Sequence, residues 1–330
     1  MINALKAVVH LSLSAQYDEG LKLSSDYQVG NTFPVFILTN SQGEVIFRWD
    51  GFGGAKRFVN SLKAGMADLT SVKERRAKVA VNPNYRDALQ LAKYYSDTRQ
   101  YLDAITYYKL TQKLSPSKQA NYSYQIFSNT ANAVWTDIWP FDSAMTAADV
   151  VLNYKINKNN ISKCVKVLGR VARRSGRTND LRNYLYAALE ATANSTDSKL
   201  TLAHQEFVID TILYITGIEG RATRSKEATL GANWQNDPKK FYPYAKWCLE
   251  RKVNLNKAEA YARTAADRAG SGAFKGQVLH TLASILDVVG KHKEAVRIME
   301  MSVAEDPTNP YYAKELDRIL INWSKAESKQ

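Results

Sequence analysis

The sequence has few of the residues on which several classes of protein depend. Only two cysteines occur among 330 residues, and Cys164 and Cys248 stand far apart in helical-looking segments. This spacing provides neither a disulfide framework nor a zinc knuckle, so both thiols are predicted to be buried and unreactive. No apolar run approaches the roughly 18 residues of a membrane span, and the first residues lack an export signal. The chain is therefore predicted to be soluble.

Sequence signatures of catalysis and metal binding are also missing. There is no Gly-x-Ser-x-Gly, no His-Glu-x-x-His and no phosphate loop ending in Gly-Lys-Ser or Gly-Lys-Thr. The four histidines have no companion side chain at the spacing of metal ligands. The segments GFGGAK and GSGAFKG are interpreted as a strand-to-helix corner and a turn between helices. No catalytic residue, metal site or cofactor is predicted for this chain.

Length and charge predict two domains of different character. A chain of 330 residues with 45% apolar residues exceeds what one small core usually organises. Residues 1–70 contain six basic and six acidic side chains, so the whole formal net charge of +13 belongs to residues 71–330. Strand patterns are confined to the first range and helical patterns fill the second. We predict a small α/β domain over residues 1–70 and a helical domain over residues 71–330.

The predicted strands lie in the first of these ranges. Ala7–Leu13 (AVVHLSL) combines β-branched residues with apolar and polar alternation, which indicates a strand. Val35–Thr39 and Val45–Asp50 are predicted as two further strands, and the short turn between them requires an antiparallel pair. Helices are predicted at Asp18–Ser25 and after Gly54, where apolar residues recur on one face.

Beyond about residue 70 the helical pattern repeats. In windows 85–118 and 276–309, small residues and a proline stand twelve residues apart, as Ala92, Ala104 and Pro116 and as Ala283, Ala295 and Pro307. This spacing fits a helix-turn-helix period of 34 residues. The small residues let two helices approach closely, and the proline ends the second helix. The sequence therefore predicts an α-solenoid.

Further copies of the repeat are less regular. A third fits residues 239–272, and a weaker one surrounds Leu168 and Leu185. Residues 119–160 and 194–236 are predicted to form divergent hairpins. The fold class expected is mainly α, with a partial α/β module followed by helix-turn-helix repeats.

Two family resemblances rest on these motifs. The runs YQVGNTFPVFIL and SQGEVIFRWDGF, with the helix after them, resemble the C-terminal two-thirds of a thioredoxin fold over the first 68 residues. The helical windows resemble tetratricopeptide repeats. The thioredoxin resemblance implies a cis peptide bond between Phe33 and Pro34, and a role for both residues in binding an extended peptide. A trans proline that opens an edge strand is the alternative.

The resemblance also implies a redox motif that this chain does not contain. In the thioredoxin family a Cys-x-x-Cys lies at the start of a helix, and Met1–Ala4 resemble the last turn of that helix, so the motif would precede Met1. Cys164 and Cys248 match neither cysteine. We expect Met1 to be an internal methionine of a longer reading frame, whose product would be a thiol-disulfide oxidoreductase or isomerase in the bacterial periplasm or cytoplasm. A reduced domain that serves only as a docking cap is the alternative.

One cluster of positive charge suggests a binding surface. Six basic residues share one face of a predicted helix, namely Lys163, Lys166, Arg170, Arg173, Arg174 and Arg177, while apolar residues take another face. Such a stripe can bind an acidic peptide, a phosphate-rich surface or nucleic acid. A plain solvated face explains the same pattern. Beside this stripe the sequence has no interleaved aromatic residues of the kind typical of single-strand binders, which argues against nucleic acid.

The repeat resemblance implies protein or peptide partners. Tetratricopeptide arrays bind peptides on the concave face, and some clamp a terminal carboxylate with lysines and asparagines. The matching positions in the first window are Arg86, Leu89 and Lys93, which do not fit that clamp. We predict a protein-interaction scaffold with partners of unspecified identity. An active disulfide enzyme in a longer form and an acidic-partner binder are the alternatives.

Overall fold

The computed structural model describes residues 5–14, 18–29, 33–117, 121–154 and 157–328. This described part of the chain is mainly helical and contains one small antiparallel sheet. The chain divides into two compact units, Met1–Arg174 and Ser175–Gln330. In the first unit the sheet packs directly against neighbouring helices. The predicted domain ranges, 1–70 and 71–330, stay a prediction.

The first unit contains the sheet and eight described helices. Its strands are β1 (Val35–Thr39) and β2 (Val45–Asp50). Its helices are α1 (Asp18–Asp26), α2 (Ala55–Met66), α3 (Val72–Val81), α4 (Tyr85–Asp97), α5 (Tyr101–Leu114), α6 (Ser123–Trp135), α7 (Phe141–Asn153) and α8 (Lys158–Arg174).

Helices are the regular secondary structure of the second unit over its described residues. Its helices are α9 (Arg182–Thr192), α10 (Ser198–Thr216), α11 (Glu219–Thr229), α12 (Pro238–Arg251), α13 (Leu255–Arg268), α14 (Ala273–Val288), α15 (His292–Glu305) and α16 (Pro310–Glu327). Short 3-10 turns lie at Thr178–Leu181 and Trp234–Asn236. No helix in the described ranges of the chain has the length and apolarity needed to cross a bilayer.

The two strands form the antiparallel pair that the sequence predicts. Val35 stands opposite Asp50, and Thr39 stands opposite Val45. The side chain of Asn40 holds the turn between them, since its Oδ1 accepts hydrogen bonds from the backbone N–H groups of Gln42 (3.0 Å) and Glu44 (2.9 Å). The predicted bounds of both strands are confirmed.

One face of the sheet carries aromatic residues and packs against α2. The rings of Phe36 and Trp49 stack at 5.0 Å, and Phe58 of α2 meets Phe36 edge-on at 5.1 Å. Gly65 allows α2 to approach β2, because a Cβ atom added there would lie 2.9 Å from Cβ of Phe47. The opposite face of β2 is consequently left for the helices that follow.

The predicted strand at Ala7–Leu13 is wrong. Residues 9–14 have no regular structure, and the side chains of Val9 and Leu11 are 102% and 71% exposed. A strand needs a neighbour to pair its backbone N–H and C=O groups. The sheet of the described residues has two strands, and neither pairs with this segment. Its β-branched composition therefore does not produce a strand.

The predicted repeat windows coincide with pairs of consecutive helices that pack together. These pairs are α4 with α5, α12 with α13 and α14 with α15. The alanines at the predicted helix contacts, Ala92, Ala104, Ala283 and Ala295, are fully buried. Helices α5 and α15 end two residues before Pro116 and Pro307. The divergent segments form α6 with α7 and α10 with α11, so the prediction of helical hairpins is confirmed there as well.

Candidate functional site

A cavity of about 380 Å³ lies between the sheet and the first helical hairpin of the first unit. Apolar residues line part of it, namely Ile46, Phe47, Ala64, Val72 and Leu91. Charged and polar side chains form the rest, namely Arg48, Arg75, Gln90, Lys93, Tyr94, Asp97 and Tyr108. Ligand sites commonly combine an apolar wall with a few convergent polar groups, whereas polar and charged residues outnumber apolar ones in this lining.

Arg48 reaches the cavity because of the alternation along β2. Ile46 and Arg48 point away from the aromatic face, and the side chain of Arg48 is only 2% exposed. Its Nη1 donates hydrogen bonds to the carbonyl oxygens of Tyr27 (2.8 Å) and Gln28 (3.3 Å). Its Nε lies 3.5 Å from Oδ1 of Asp50, yet it has no hydrogen-bond partner among the described residues. A buried donor without a partner is rare in native structures.

Arg75 carries the second buried guanidinium group at the cavity, and this group is paired with two carboxylates. Arg75 binds Asp87 through Nη1 and lies 3.0 Å from Asp68 through Nη2. Hydrogen bonds from Thr70 lower the pKa of Asp68 to about 2, and Arg75 contributes to the same shift. Arg75 therefore holds α3 to α4 and brings little free charge to the cavity.

Asp97 is the last residue of α4 and reaches solvent at the mouth of the cavity. Partial burial of its carboxyl group, followed by repulsion from Asp50, raises the pKa of Asp97 to about 6, although Arg48 and Lys93 act in the opposite direction. No ion pair or hydrogen bond to this carboxylate is found within the described ranges. A carboxyl group with a raised pKa beside a cavity is a candidate functional group.

The substitution Asp97→Asn should stabilise the protein at neutral pH. The folded state binds a proton at Asp97 up to about pH 6, whereas the unfolded chain releases it near pH 4, so stability falls as pH rises through this window. Because Asp97 stays in contact with solvent, we expect a gain of only about 1 kcal/mol above pH 7 and none below pH 4. Urea denaturation of both proteins across this range measures the difference, and a constant difference would contradict the assignment.

The predicted basic stripe begins on the exposed face of α8. Lys163, Lys166 and Arg170 are exposed, whereas Val165 and Leu168 on the opposite face are buried. No ion pair to these three cations is found among the residues that the structure describes. Because exposed charges of one sign on one helix face add their potentials, this face attracts negative charge.

The remaining residues of the stripe have other roles. Nη2 of Arg174 lies 3.0 Å from Oδ2 of Asp137, and its guanidinium sits over the ring of Trp135 at 4.9 Å. Arg173 is half-buried, and Arg177 belongs to the second unit, where it pairs with Asp180 at 2.5 Å. Lys163, Lys166 and Arg170 therefore form the basic face of α8.

Phe33 and Pro34 lie at the start of β1. The peptide bond between them is cis, as predicted, and both residues are exposed. The carbonyl oxygen of Pro34 accepts a hydrogen bond from the backbone N–H of Gly51 at 2.8 Å. The two predicted sites thus lie on different elements, and the proposed role of Phe33 and Pro34 in peptide binding stays a prediction.

Both cysteines are fully buried, as predicted. Burial raises the pKa of Cys248 to about 12, and it also raises the pKa of Cys164. Because the thiolate is the reactive form of cysteine, neither thiol is poised for redox chemistry. Over the described ranges, no group of histidine, cysteine and carboxylate side chains is arranged to hold a metal ion.

The cavity is the site that the sequence alone did not reveal. Two local signals point to it, and both are weak in isolation. Arg48 interrupts an otherwise apolar and aromatic strand, and Asp97 places a negative charge at the C-terminal end of a helix, where the helix dipole disfavours it. In the sequence, Lys93 stands out only as one of the carboxylate-clamp positions. What brings these residues together is the packing of β2 on α4.

No protein-family model matches the sequence. A search of curated proteins likewise finds no significant match.

Proposed function

We propose that this chain is a protein-interaction scaffold that binds acidic segments of its partners through the basic face of α8. The observation that carries the proposal is the exposure of Lys163, Lys166 and Arg170 without ion pairs among the described residues. Because the packing of α8 comes from its buried face, these exposed cations contribute nothing to it. They remain available to a negatively charged partner.

The helical hairpins support the scaffold role. Successive helix pairs with buried alanines at their contacts are typical of solenoid repeats, which present extended surfaces to partners. We propose that these pairs are tetratricopeptide-like. We propose that the β1–β2 hairpin and α2 correspond to the C-terminal part of a thioredoxin fold and that this part has a docking role. A thiol-disulfide activity would require a cysteine pair that this sequence does not contain.

Charge reversal on the basic face should weaken binding of an acidic peptide by about tenfold or more. The test uses a fluorescein-labelled peptide of alternating glutamate and serine, and fluorescence anisotropy compares the natural protein with the Lys163→Glu, Lys166→Glu and Arg170→Glu triple variant. The natural protein should lose affinity as salt is added, because ions screen exposed charges. The triple variant should lose this salt dependence.

A matched control separates this face from the overall charge. The Lys293→Glu, Arg297→Glu and Lys314→Glu triple variant has the same net charge, and its substitutions lie on exposed positions of α15 and α16. It should bind the peptide almost as well as the natural protein. Equal loss in both variants would contradict a specific role for α8. Tight binding of a single-stranded oligonucleotide together with weak binding of the peptide would favour a nucleic-acid partner instead.

A further inference from the structure

Three large apolar side chains lie together where α6 ends and turns toward α7. Trp135 is the last residue of α6, and Trp135 and Ile138 are 45% and 50% exposed. Trp139 is partly exposed beside them. These three residues form the apolar tip of the hairpin. Single exposed apolar residues are ordinary on protein surfaces, but a cluster that contains two tryptophans is typical of an interaction surface.

The backbone holds the apolar tip in a defined conformation. The N–H of Ile138 donates a hydrogen bond to the carbonyl oxygen of Ala133 at 2.8 Å, and the N–H of Asp137 donates one to that of Val134 at 3.0 Å. Asp137 has a left-handed φ of 60°, which completes the Schellman ending of a helix. A partner that covers the apolar tip therefore needs to order little backbone, which lowers the entropic cost of binding.

The apolar tip adjoins the end of the basic face of α8. Arg174 follows Arg170 by four residues, so both lie on the same side of α8, and both are exposed. The guanidinium of Arg174 lies 4.9 Å from the ring centre of Trp135, and its Nη2 lies 3.0 Å from Oδ2 of Asp137. A segment that binds along the basic face of α8 therefore reaches the apolar tip one helical turn beyond Arg170.

The surface changes from positive to neutral at this point. The carboxylate of Asp137, whose side chain is 78% exposed, neutralises Arg174. The attraction for negative charge consequently ends near Arg170, and an apolar surface follows. A nucleic acid or an anionic bilayer carries phosphate charge throughout and would bring it against Asp137. A protein segment, in contrast, can change from acidic to apolar within a few residues.

We propose that the acidic segment bound by the basic face of α8 also carries a large apolar side chain, which packs on the apolar tip. This inference rests on the proposed function and specifies the partner of that face. The helical rise places Lys163 and Arg174 roughly 16 Å apart along α8. An extended peptide of about five residues spans this distance. The partner is thus a short linear segment that is acidic along its length and apolar at one end.

Competition fluorescence anisotropy with the full chain tests the proposal. Unlabelled peptides displace the fluorescein-labelled peptide of alternating glutamate and serine. The parent peptide has the same sequence, and two others carry two additional phenylalanines, either at the N-terminal or at the C-terminal end, so that both directions of binding are covered. At least one phenylalanine peptide should compete about tenfold more strongly than the parent peptide, because apolar surface is buried on the apolar tip.

Substitutions in the protein assign this gain to the apolar tip. The Trp135→Ser and Ile138→Ser double variant should abolish the gain from phenylalanine and leave binding of the parent peptide within about twofold. The matched control is the Leu320→Ser and Ile321→Ser double variant on α16, where the two residues are 41% and 52% exposed. It should keep the gain. Circular dichroism shows that both variants are folded.

The outcomes separate this inference from the proposed function. If the parent peptide binds but phenylalanine adds no affinity, or if the gain persists in the Trp135→Ser and Ile138→Ser variant, the inference is overturned and the proposed function stands. Absence of binding by every peptide would overturn the proposed function as well. Binding to vesicles of phosphatidylcholine and phosphatidylglycerol, or to oligothymidylate, that depends on the apolar tip while phenylalanine adds nothing would overturn the inference in favour of a lipid or nucleic-acid partner.

Discussion

Replacing Arg251 by methionine should lower the free energy of unfolding by about 3–5 kcal/mol, because it leaves two carboxylates without their buried cation. The side chain of Arg251 is 5% exposed. Its Nε donates to Oδ1 of Asp210 at 2.7 Å, and its Nη2 donates to Oε2 of Glu206 at 3.2 Å. The guanidinium also lies 5.0 Å from the ring centre of Trp247. Methionine keeps much of the volume and removes only the charge and the hydrogen bonds.

The charge of Arg251 is maintained by its neighbours. Burial by itself would lower the pKa of this residue, but Asp210 and Glu206 outweigh that effect and the pKa is raised. Arg251 therefore joins α12 to α10 as a permanent cation. Loss of Arg251 leaves the buried carboxylate of Asp210 without an ion-pair partner. Glu206, in contrast, keeps its ion pair with Lys226 at 3.1 Å. The destabilisation should thus come mainly from Asp210.

Urea denaturation followed by circular dichroism measures this effect. The matched control is Arg263→Met, since Arg263 also binds two carboxylates, Glu259 and Glu294, but its side chain is 37% exposed. Solvent screening should limit the control to about 1 kcal/mol or less. In a second variant, Arg251→Met combined with Asp210→Leu should recover most of the stability, because it removes the stranded charge. Equal losses for Arg251→Met and Arg263→Met would refute the role of burial.

Enlarging the buried alanines of the hairpins should destabilise the chain by about 1–3 kcal/mol at each site. Ala92 on α4 and Ala283 on α14 are both fully buried where their helix meets its partner. A leucine at either position must push the two helices apart or adopt a strained conformation. The chain would lose packing on both sides of the contact.

The control for these variants is Ala313→Leu on the exposed side of α16. Leucine and alanine have similar helix propensities, so this change should stay within about 0.5 kcal/mol. Thermal and urea unfolding of Ala92→Leu and Ala283→Leu should both show the loss. If either buried variant behaves like the exposed control, the corresponding helix pair does not pack as closely as the structure indicates.

The hairpins could be predicted because their signal is local and repeated. Small residues such as Ala92 and Ala104 recur at fixed spacing, and the helix ends are set by nearby residues such as Pro116. The β1–β2 hairpin was predictable for the same reason, since a short turn determines how its strands pair. Residues close in sequence therefore determine these elements, with little dependence on distant parts of the chain.

The segment Ala7–Leu13 and the cavity depend on distant partners, and the sequence pattern therefore failed there. A strand forms only where a neighbouring strand pairs with it, and a run of β-branched residues does not predict whether such a neighbour exists. Arg48 and Asp97 line one cavity only because β2 packs on α4. The basic face of α8, in contrast, was predicted from helical spacing, although Arg174 proved to be held by Asp137 and Trp135.

Burial of both thiols has a practical consequence for studying this protein in solution. Cys164 and Cys248 lie in different units and are shielded from solvent. A cysteine introduced on an exposed helix face would be the accessible thiol of the native chain. Spin labels or fluorophores attached to one such site in each unit would then report the distance between the units, with both natural cysteines left in place.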